Sequence, residues 1–465
     1  GSGVLAPRKT RRHLIKGTSM TTHVSENSTY TGYFDQKHVS EDPELTHVER
    51  GSPAGEYLRR FWHGVALSSE LGESPLAIRI MGEDLVLFRD KSGRLGLVKK
   101  HCAHRQASLE YGRVEERGIR CCYHGWLYDV DGTLLEAPAE RRDSPIYKNV
   151  RQGAYPVREY KGLIFAYLGP PNPIPEFPIF DTFEVPGTEM VPYTCSFPCN
   201  WLQVTENGID PVHSMFLHTL VNGPQFSEAW GILGDVRYHI NDQSVYCTIT
   251  RRVEDNLWFR VQENLLPNIT QSGAVHEMDG SRRRYFGRNT FLRWCLPVDN
   301  TNTKVVAWAC FGDRSDPMQY NNPNDIERLE QGEIFDRSPE ERQRSPGDYE
   351  AMVGLGPIVV HKNEQLVRSD RGVALFRQEL RRGIRALKNG QEPRRPADSG
   401  PTPIPTWSGD TILRVPAGKH GEDSALGEEI LAKVMAIYLE GDEMQGQDRD
   451  DFIVARLKEL EVGVP

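Results

Sequence analysis

Apolar and polar residues alternate along the early part of the chain in the manner of short antiparallel strands. The stretch Ala77–Asp90 carries this alternation and is interrupted at Gly82. A polar turn at Asp90–Gly93 then precedes another apolar run. The same strand-and-turn texture continues to about Pro171, so the pattern predicts an all-β unit.

Helical spacing flanks this unit on both sides. Between Pro43 and Ser68, apolar residues recur at intervals that favour a helix, at Leu58, Phe61, Trp62 and Val65. Far downstream, Ser369 or Asp370 is suited to cap the start of a long amphipathic helix. Two more helices are expected at Glu422–Leu439 and Asp450–Leu460.

A proline-rich stretch at residues 170–178 separates the all-β unit from a region of mixed texture. The mixed region is expected to contain strands at Tyr238–Val253, Leu257–Glu263, Arg288–Leu296 and Thr303–Gly312. We therefore predict an α+β protein with the following parts: a cloning-derived leader at 1–19 before a natural start at Met20, an N-terminal extension at 20–50, a β domain at 51–172, a second domain at 173–392, and a partly helical C-terminal extension at 393–465.

Charge and cysteine usage narrow the possible partners. The formal net charge is -9, and it becomes about -14 without the expected leader, which holds Lys and Arg but no acid. This acidity argues against a nucleic-acid partner. No apolar run approaches the ~20 residues that span a bilayer. The 8 cysteines in 465 residues do not indicate a disulfide scaffold, so a reduced, cytoplasmic protein is expected.

Two cysteines and two histidines form a paired motif between residues 101 and 129. Cys102 and His104 make Cys-x-His, and after 16 intervening residues Cys121 and His124 make Cys-x-x-His. Two Cys and two His also suit structural zinc, but zinc-finger patterns place both Cys in one half and both His in the other. A Rieske [2Fe–2S] centre needs two Cys on one iron and two His on the other, which mixed halves provide. The spacing therefore favours a Rieske cluster over zinc.

A second cluster of metal-binding residue types lies in the stretch QVTENGIDPVHSMFLHT, residues 203–219. It places Asp210, His213 and His218 within nine residues. Two imidazoles and one carboxylate, with other positions open, bind non-haem Fe(II) and leave room for O₂. His213 and His218 are five residues apart, about 140° round an ideal helix. The helix is therefore expected to open locally near Met215 if both histidines face one metal.

These two motifs in this order resemble the oxygenase (alpha) subunit of Rieske non-haem iron aromatic oxygenases, specifically the phthalate dioxygenase-like group. The resemblance runs from about Pro43 to Arg382 and rests on GEDLVLFRD, CAHRQASLEYGRVEERGIRCCYHGW, AYPVREYKGLIFAYLGPP and NWLQVTENGIDPVHSMFLH. Within the family, the nearest pattern is that of O-demethylases acting on lignin-derived biphenyls such as dehydrodivanillate. The resemblance implies a Rieske domain followed by a helix-grip catalytic domain, an antiparallel sheet wrapped on helices.

The family's metal ligands map onto this chain residue by residue. Cys102 and Cys121 would bind one iron of the cluster, and His104 and His124 the other. His213 and His218 would bind the mononuclear iron. The resemblance places the third ligand shortly before a Gly-Pro-Ile segment, which selects Asp348, with Glu364 and Asp370 as the alternatives. Val360-His361 stands where the family commonly has Asp-Arg.

In the family, the residue at Asp210 joins a cluster histidine of a neighbouring subunit to an iron-ligand histidine, which implies a homotrimer or a stacked hexamer. A simple helix N-cap is the other reading of Asp210. The resemblance further implies a separate NAD(P)H-dependent reductase or ferredoxin, O₂, and an aromatic substrate, with no nucleic acid or membrane.

The implied activity is hydroxylation or O-demethylation of an aromatic carboxylate or a methoxylated biaryl. Cis-dihydroxylation of the phthalate type is the alternative. An electron-transfer protein with an inert second domain, and a zinc-stabilised binding module, are the remaining hypotheses. Neither of these explains the motif at Asp210, His213 and His218.

Overall fold

The computed structural model describes residues 30–220, 227–273, 279–315, 337–398, 400, 402–418 and 422–463. The expected leader at 1–19 and the first part of the expected extension, 20–29, lie outside these residues. Residues 1–40 form one unit, whose described part holds a turn of 3₁₀ helix at Gly32–Phe34. Residues 41–465 form a second unit, which contains all the elements discussed below.

Short antiparallel strands fill the region from Trp62 to Tyr167, as the alternating pattern predicts. They form three sheets with the orders β1–β11–β10, β2–β3–β4–β9 and β5–β6–β7–β8. The strands are β1 (Trp62–Leu67), β2 (Leu76–Ile80), β3 (Glu83–Arg89), β4 (Leu95–Lys99), β5 (Arg113–Val114), β6 (Ile119–Arg120), β7 (Leu127–Tyr128), β8 (Leu134–Glu136), β9 (Ala154–Tyr155), β10 (Val157–Tyr160) and β11 (Leu163–Tyr167).

Two of the hairpins close through a residue pair with left-handed backbone. Met81 and Gly82 join β2 to β3 with φ values of 49° and 78°. Lys161 and Gly162 join β10 to β11 with φ values of 45° and 78°. Two positive φ values in a two-residue loop match the twist of antiparallel strands, and the glycine removes the steric cost at the second position.

The helix expected within Pro43–Ser68 is shorter than predicted. Helix α2 covers only Pro53–Leu58, and Trp62–Leu67 is strand β1, paired with β11. The apolar residues from Leu58 to Val65 therefore belong to the end of a helix and to a buried strand, and not to one face of a single helix. The partner strand lies about 100 residues downstream, beyond the reach of a local pattern.

A large antiparallel sheet forms the second half of the molecule, in the helix-grip arrangement that the resemblance implies. Its described strands run in the order β12–β19–β18–β16–β15–β14–β13, and β20 pairs with β15 and β17. The strands are β12 (Glu189–Phe197), β13 (Asp235–Ile240), β14 (Ser244–Val253), β15 (Asn256–Leu265), β16 (Ile269–Gly273), β17 (Arg284–Gly287), β18 (Asn289–Asp299), β19 (Asn302–Phe311) and β20 (Gly409–Arg414).

Helices pack against this sheet and connect it to the rest of the unit. The described helices are α1 (Pro43–Thr46), α2 (Pro53–Leu58), α3 (Ile146–Asn149), α4 (Trp201–Asn207), α5 (Pro211–Met215), α6 (Pro339–Arg344), α7 (Asp348–Gly354), α8 (Arg371–Lys388), α9 (Asp423–Gly441) and α10 (Gly446–Val462). Helix α8 buries Phe376, Leu380 and Ile384, spaced four apart, in a core shared with Cys247 and Ile249 of β14.

Alternate residues of β15 face different neighbours, because side chains alternate along a strand. Leu257, Phe259 and Val261 pack into the core that α9 and α10 form with β20. Trp258 belongs to a separate cluster with Trp230. The side chains of β15 therefore divide between the C-terminal helices and the other face of the sheet.

The predicted strand at Tyr238–Val253 is a hairpin, because β13 and β14 turn at residues 241–243. Strand β20 lies beyond the expected boundary at 393, yet it pairs with β15 from Gly409 to Arg414. The domain boundaries themselves stay predictions. Among the described residues, no helix is long and apolar enough to cross a membrane.

Candidate functional site

Two loops of the β domain hold the four predicted cluster residues in matching backbone frames. The Cys102 carbonyl accepts a hydrogen bond from the Gln106 N–H at 2.9 Å, and the Cys121 carbonyl accepts one from the Gly125 N–H at 3.1 Å. Each cysteine N–H also donates to the carbonyl five residues on. Gln106 and Gly125 have positive φ values of 63° and 71°. The same turn therefore presents Cys-x-His in one loop and Cys-x-x-His in the other.

The cysteines of these loops are buried and the histidines lie near the surface. Cys102 is 1% exposed and Cys121 2%. The rings of His104 and His124 lie 4.7 Å apart between centroids, His104 exposed and His124 half-buried. The Trp126 ring stacks on His104 at 4.3 Å and fixes its orientation.

The residues of the two loops fit a Rieske cluster. Burial raises the pKa of the Cys102 thiol, so a thiolate there needs nearby positive charge, which bound iron supplies. The Tyr128 hydroxyl lies 3.2 Å from Cys102 Sγ, and hydrogen bonds to ligand sulfur tune the potential of such clusters. Two buried sulfurs and two outer imidazoles match the donor set of a [2Fe–2S] centre with mixed ligation.

The stretch with His213 and His218 changes helix type between the two histidines. Helix α5 runs from Pro211 to Met215, and Phe216–Leu220 follows as a π-helix. The i→i+5 bonding of a π turn brings residues five apart onto one side. The two imidazole rings accordingly lie 5.6 Å apart. The local opening expected near Met215 is therefore present.

Asp348 approaches both histidines from a distant part of the chain. Its Oδ1 lies 3.1 Å from His218 Nε2 and 3.5 Å from His213 Nε2. One ligand atom from each of the three residues lies within 4.8 Å of the others, as a metal site requires. Burial acts to raise the pKa of Asp348, but His218 and His213 hold it well below its usual range. The three residues therefore fit a mononuclear iron bound by two His and one carboxylate.

Asn207 contacts two members of this group. Its Nδ2 lies 3.2 Å from Asp348 Oδ1 and 3.3 Å from His213 Nε2. Asn207 ends α4, and the short Gly208–Asp210 connection leads into α5. The side chain therefore bridges the helix that precedes the histidines and the helix that carries Asp348.

Asp210 caps α5 and also lies near a histidine. Its Oδ1 accepts a hydrogen bond from the Val212 N–H at 2.9 Å, and its Oδ2 lies 3.6 Å from His213 Nδ1. Burial acts to raise the pKa of Asp210, but His213 and the backbone amides lower it. Asp210 is therefore both the N-cap of α5 and a neighbour of His213, a predicted iron ligand.

The alternative carboxylates lie elsewhere. Glu364 pairs with Arg377. Asp370 accepts a hydrogen bond from the Val367 N–H at 2.7 Å, at the turn that leads into α8. Among the described residues, the candidate metal group contains Asp348 and neither of these two.

Sequence reasoning missed two supports of the site. Arg377 of α8 donates to both carboxylate oxygens of Glu206, at 2.5 and 2.7 Å, and both side chains are buried. Gln152 accepts from the Ala103 N–H at 2.8 Å and donates to the carbonyls of Lys99 and His101. Neither residue has a local motif, because each acts on a segment that is distant in sequence.

Residues that follow the His213 and His218 motif, and residues of the central strands of the large sheet, lie in different places. Asn264 donates to the Thr205 carbonyl of α4 at 2.8 Å. Arg293 donates to the Tyr193 hydroxyl at 2.9 Å and stacks on Phe291. Its charge also helps to lower the pKa of Asp348, so Arg293 lies near that carboxylate. Trp294 instead faces a core shared with Phe165 and Trp308. Phe216 is exposed, and Val221 lies outside the described residues.

Comparison with known proteins identifies the family of the chain. The family model of the Rieske [2Fe-2S] domain matches residues 61–161. The tert-butanol monooxygenase / tert-amyl alcohol desaturase oxygenase subunit of Aquincola tertiaricarbonis is 39% identical over 464 residues, 94% of this chain and 98% of that protein. The phenoxybenzoate dioxygenase subunit alpha of Ectopseudomonas oleovorans is 39% identical over 367 residues, 76% of this chain and 87% of that protein.

A third relative is the 5,5'-dehydrodivanillate O-demethylase oxygenase subunit of Sphingobium sp., 32% identical over 392 residues, 81% of this chain and 88% of that protein. Solved structures share the fold at lower identity. Dicamba monooxygenase bound to dicamba has a TM-score of 0.54 at 17% identity, covering 72% of this chain and all of that one. NdmB of Pseudomonas putida CBB5 has a TM-score of 0.56 at 21% identity, covering 74% and 96%.

The chain therefore belongs to the Rieske non-haem iron oxygenases, as an oxygenase (alpha) subunit. Its cofactors are a Rieske [2Fe–2S] cluster and a mononuclear iron.

Proposed function

We propose that this chain is a terminal oxygenase that uses O₂ and electrons from NAD(P)H to hydroxylate or oxidatively O-demethylate an aromatic carboxylate. The observation that carries the proposal is the convergence of His213, His218 and Asp348, in a chain that also has a Rieske domain. Two imidazoles and one carboxylate hold Fe(II) on one face and leave the opposite positions open for O₂ and substrate.

Each predicted ligand has one assigned role in this proposal. Cys102 and Cys121 bind the buried iron of the cluster, and His104 and His124 bind the outer iron. His213, His218 and Asp348 bind the mononuclear iron. The supports are the paired loop geometry of the first set and the 4.8 Å grouping of the second.

When bound, the mononuclear iron supplies the activation of O₂, with electrons received from the cluster. The protein's own residues keep the ligands in place. The Asp210 carboxylate near His213 Nδ1 favours the tautomer with its proton on that nitrogen, which leaves Nε2 to face the metal. The Asn207 amide donates to Asp348 Oδ1 and holds that carboxylate in place.

Asp210 also provides the route for electrons between subunits in this proposal. Asp210 is one-third exposed and already contacts His213, so a histidine from another subunit has access to its carboxylate. His104 lies exposed at the tip of its loop. A head-to-tail homotrimer, in which the cluster of one subunit reaches Asp210 of the next, closes this path as a ring.

The substrate class is supported by several relatives that act on aromatic acids. Their names include phenoxybenzoate, dehydrodivanillate, phthalate and 3-chlorobenzoate. For an aryl methyl ether, the balanced reaction consumes one O₂, two electrons and two protons, and releases a phenol, formaldehyde and water. Ring cis-dihydroxylation is the alternative outcome at the same site.

A second candidate substrate is a small tertiary alcohol. It is favoured by the relative that acts on tert-butanol and tert-amyl alcohol, because this relative matches nearly the full length of the chain. The two candidates differ in charge, since the alcohol is neutral and the aromatic acid is an anion. We expect a cytoplasmic protein served by a separate reductase or ferredoxin, consistent with eight cysteines that form no disulfide in the described residues.

The test is reconstitution of the iron-loaded protein with a generic ferredoxin reductase, NADH and O₂. Aromatic acids, methoxylated biaryls and tert-butanol are screened for coupled O₂ consumption and for formaldehyde release. We expect coupled turnover with an aromatic acid and little with tert-butanol. Turnover confined to tert-butanol would replace the aromatic proposal, and a cluster that is reduced without coupled O₂ uptake for any compound would support the electron-transfer reading.

A further inference from the structure

Among the residues that the structure describes, the buried cation Arg251 on β14 has no carboxylate partner. Its side chain is 3% exposed, and its Nε donates to the Ile232 carbonyl at 3.2 Å. Within the described part of the chain, its Nη1 is buried without a hydrogen-bond partner, and no acid forms an ion pair with it. Burying an arginine is costly unless its charge is paired. The guanidinium of Arg251 therefore has a donor that is available to an anion.

The carboxylate that acts on Arg251 through its charge already serves another arginine. Asp410 and Arg260 are both fully buried and form two hydrogen bonds of 2.7 and 2.8 Å. The same carboxylate accepts from Trp258 Nε1 at 2.7 Å. Arg251 and Arg260 together carry two positive charges against this one negative charge. Among the described residues, the buried cluster around Arg251 therefore contains more cationic than anionic side chains.

Two indole rings form the walls of this cluster. The Arg251 guanidinium lies 5.4 Å from the Trp230 ring and 5.2 Å from the Trp258 ring. Arg260 lies 4.1 Å from Trp230. Burial and the neighbouring Arg260 lower the pKa of Arg251 to about 10, which leaves the group charged at neutral pH. Cation–π contacts offset part of the burial cost but do not supply an anion.

The cluster lies beside the iron-binding segment. Trp230 belongs to the 3₁₀ turn Glu228–Gly231, and a Cβ on Gly231 would meet Leu220 and Thr219, which directly follow His218. On β15, Arg260 and Asn264 are four positions apart, so their side chains lie on the same face of the sheet. Asn264 contacts α4, the helix that ends at Asn207. The same face of the sheet therefore runs from Arg260 toward the iron group.

We propose that Arg251 binds the carboxylate of an aromatic substrate beside the Trp230 and Trp258 pair, whose rings lie 5.6 Å apart and edge to face. This inference rests on the proposed function and narrows its substrate class to anionic aromatics. A carboxylate that accepts from the Arg251 fork supplies the missing counter-charge. A neutral tertiary alcohol leaves the same charge buried and unpaired, so the site selects against it.

The test measures binding of two probes of similar shape to the iron-loaded protein by equilibrium dialysis. The probes are 3-phenoxybenzoate and the neutral 3-phenoxybenzyl alcohol. We expect the wild type to bind the acid at least about tenfold more tightly than the alcohol. In Arg251→Met, affinity for the acid should fall on the order of 100-fold, because a charge-assisted hydrogen-bond pair is lost. Affinity for the alcohol should change by less than about threefold.

Two further variants separate a specific role from a structural one. Arg251→Lys keeps the positive charge but loses the two-pronged guanidinium. Its affinity for the acid should lie between those of Arg251→Met and the wild type. Arg252→Gln removes the adjacent arginine, which pairs with Asp423 on the other face of β14, and should leave the acid-to-alcohol ratio unchanged. The visible spectrum of the cluster reports whether each variant is folded.

Equal binding of acid and alcohol by the wild type overturns the inference, even if Arg251→Met does not fold. An equal loss of both probes in folded Arg251→Met also overturns it and shows a purely structural role. These outcomes differ from failure of the proposed function. Coupled O₂ uptake with neutral aromatics alone would refute the carboxylate site and keep the oxygenase, whereas no uptake with any compound would refute the oxygenase proposal.

Discussion

Arg377 holds both carboxylate oxygens of Glu206, with Nε at 2.5 Å and Nη2 at 2.7 Å. The pair joins the long helix α8 to α4, the helix that ends at Asn207. Burial acts to raise the pKa of Glu206, which makes its charge dependent on the arginine. The segment that carries the predicted iron ligands His213 and His218 is thus supported from a helix that contributes no predicted ligand.

Arg377→Met should destabilise the protein by about 3–5 kcal/mol, because it leaves the charge of Glu206 buried and unpaired. Urea unfolding of the iron-loaded protein measures this change. Arg385→Met in the same helix is the matched control. Arg385 pairs with Glu44 and is 61% exposed, so its loss should leave the urea midpoint nearly unchanged. Similar losses for both variants would contradict the role given to the buried pair.

His213→Ala should remove the mononuclear iron and spare the cluster. The protein with both cofactors should contain about three irons and two sulfides per chain, and the variant about two irons and two sulfides. Iron and sulfide analysis, together with the visible spectrum, measures both centres in one sample. Loss of the visible cluster bands in this variant would contradict the assignment of His213 to the mononuclear iron.

Asn207→Leu should weaken retention of the mononuclear iron by about 10- to 100-fold, because the residue that orients Asp348 and His213 is lost. Competition with a chelator measures the affinity, and the cluster spectrum serves as the internal control. Retention equal to that of the wild type would show that the contacts of Asn207 do not organise the ligands.

Asp210→Asn should abolish most turnover and keep the spectrum of the reduced cluster intact. Asparagine caps a helix about as well as aspartate, so α5 should keep its N-cap while the carboxylate is lost. Asp210→Ala removes both functions and should cost about 1 kcal/mol more in stability. The decisive measurement is single-turnover oxidation of the reduced cluster with substrate and O₂. Normal oxidation in Asp210→Asn would rule out the carboxylate as the electron route.

His63 should make stability fall as the pH is lowered. Burial lowers its pKa to about 4, and its ring nitrogens contact the Leu58 carbonyl and the Asn268 amide. The unfolded chain therefore binds a proton at His63 below pH ~6.5, whereas the folded protein binds it only below about pH 4. Between these pH values, this one group lowers the free energy of unfolding by up to about 1.4 kcal/mol per pH unit. Urea midpoints from pH 7 to 4.5 measure the slope, which His63→Gln should reduce. An unchanged slope would assign the acid sensitivity to other groups.

Local patterns predicted those parts of the molecule whose geometry is local. The Cys-x-His and Cys-x-x-His spacings indicated two tight loops, and the five-residue spacing of His213 and His218 required an opened helix, which is the π turn at Phe216–Leu220. The third carboxylate was predicted only through the resemblance. No spacing rule connects Asp348 to a site 130 residues away.

Features that depend on long-range packing could not be read from the sequence. Trp62–Leu67 resembles a helical face until β11 is known to pair with it. The partners of Arg377 and the isolation of Arg251 depend on which elements the fold brings together. A buried arginine has no local signature, since charged residues usually indicate an exposed surface.

Strand β20 has a consequence for how substrate preference can change in evolution. In the pairing of β15 with β20, Arg260 lies opposite Asp410, and Asp410 is the counter-ion of Arg260. The C-terminal extension thus contributes, through Asp410, the carboxylate that balances the charge of Arg260. A relative with a shorter or different C-terminal segment would lack Asp410 and leave Arg260 without this counter-ion. Its site would then favour substrates with two negative charges, although every iron-binding residue was unchanged.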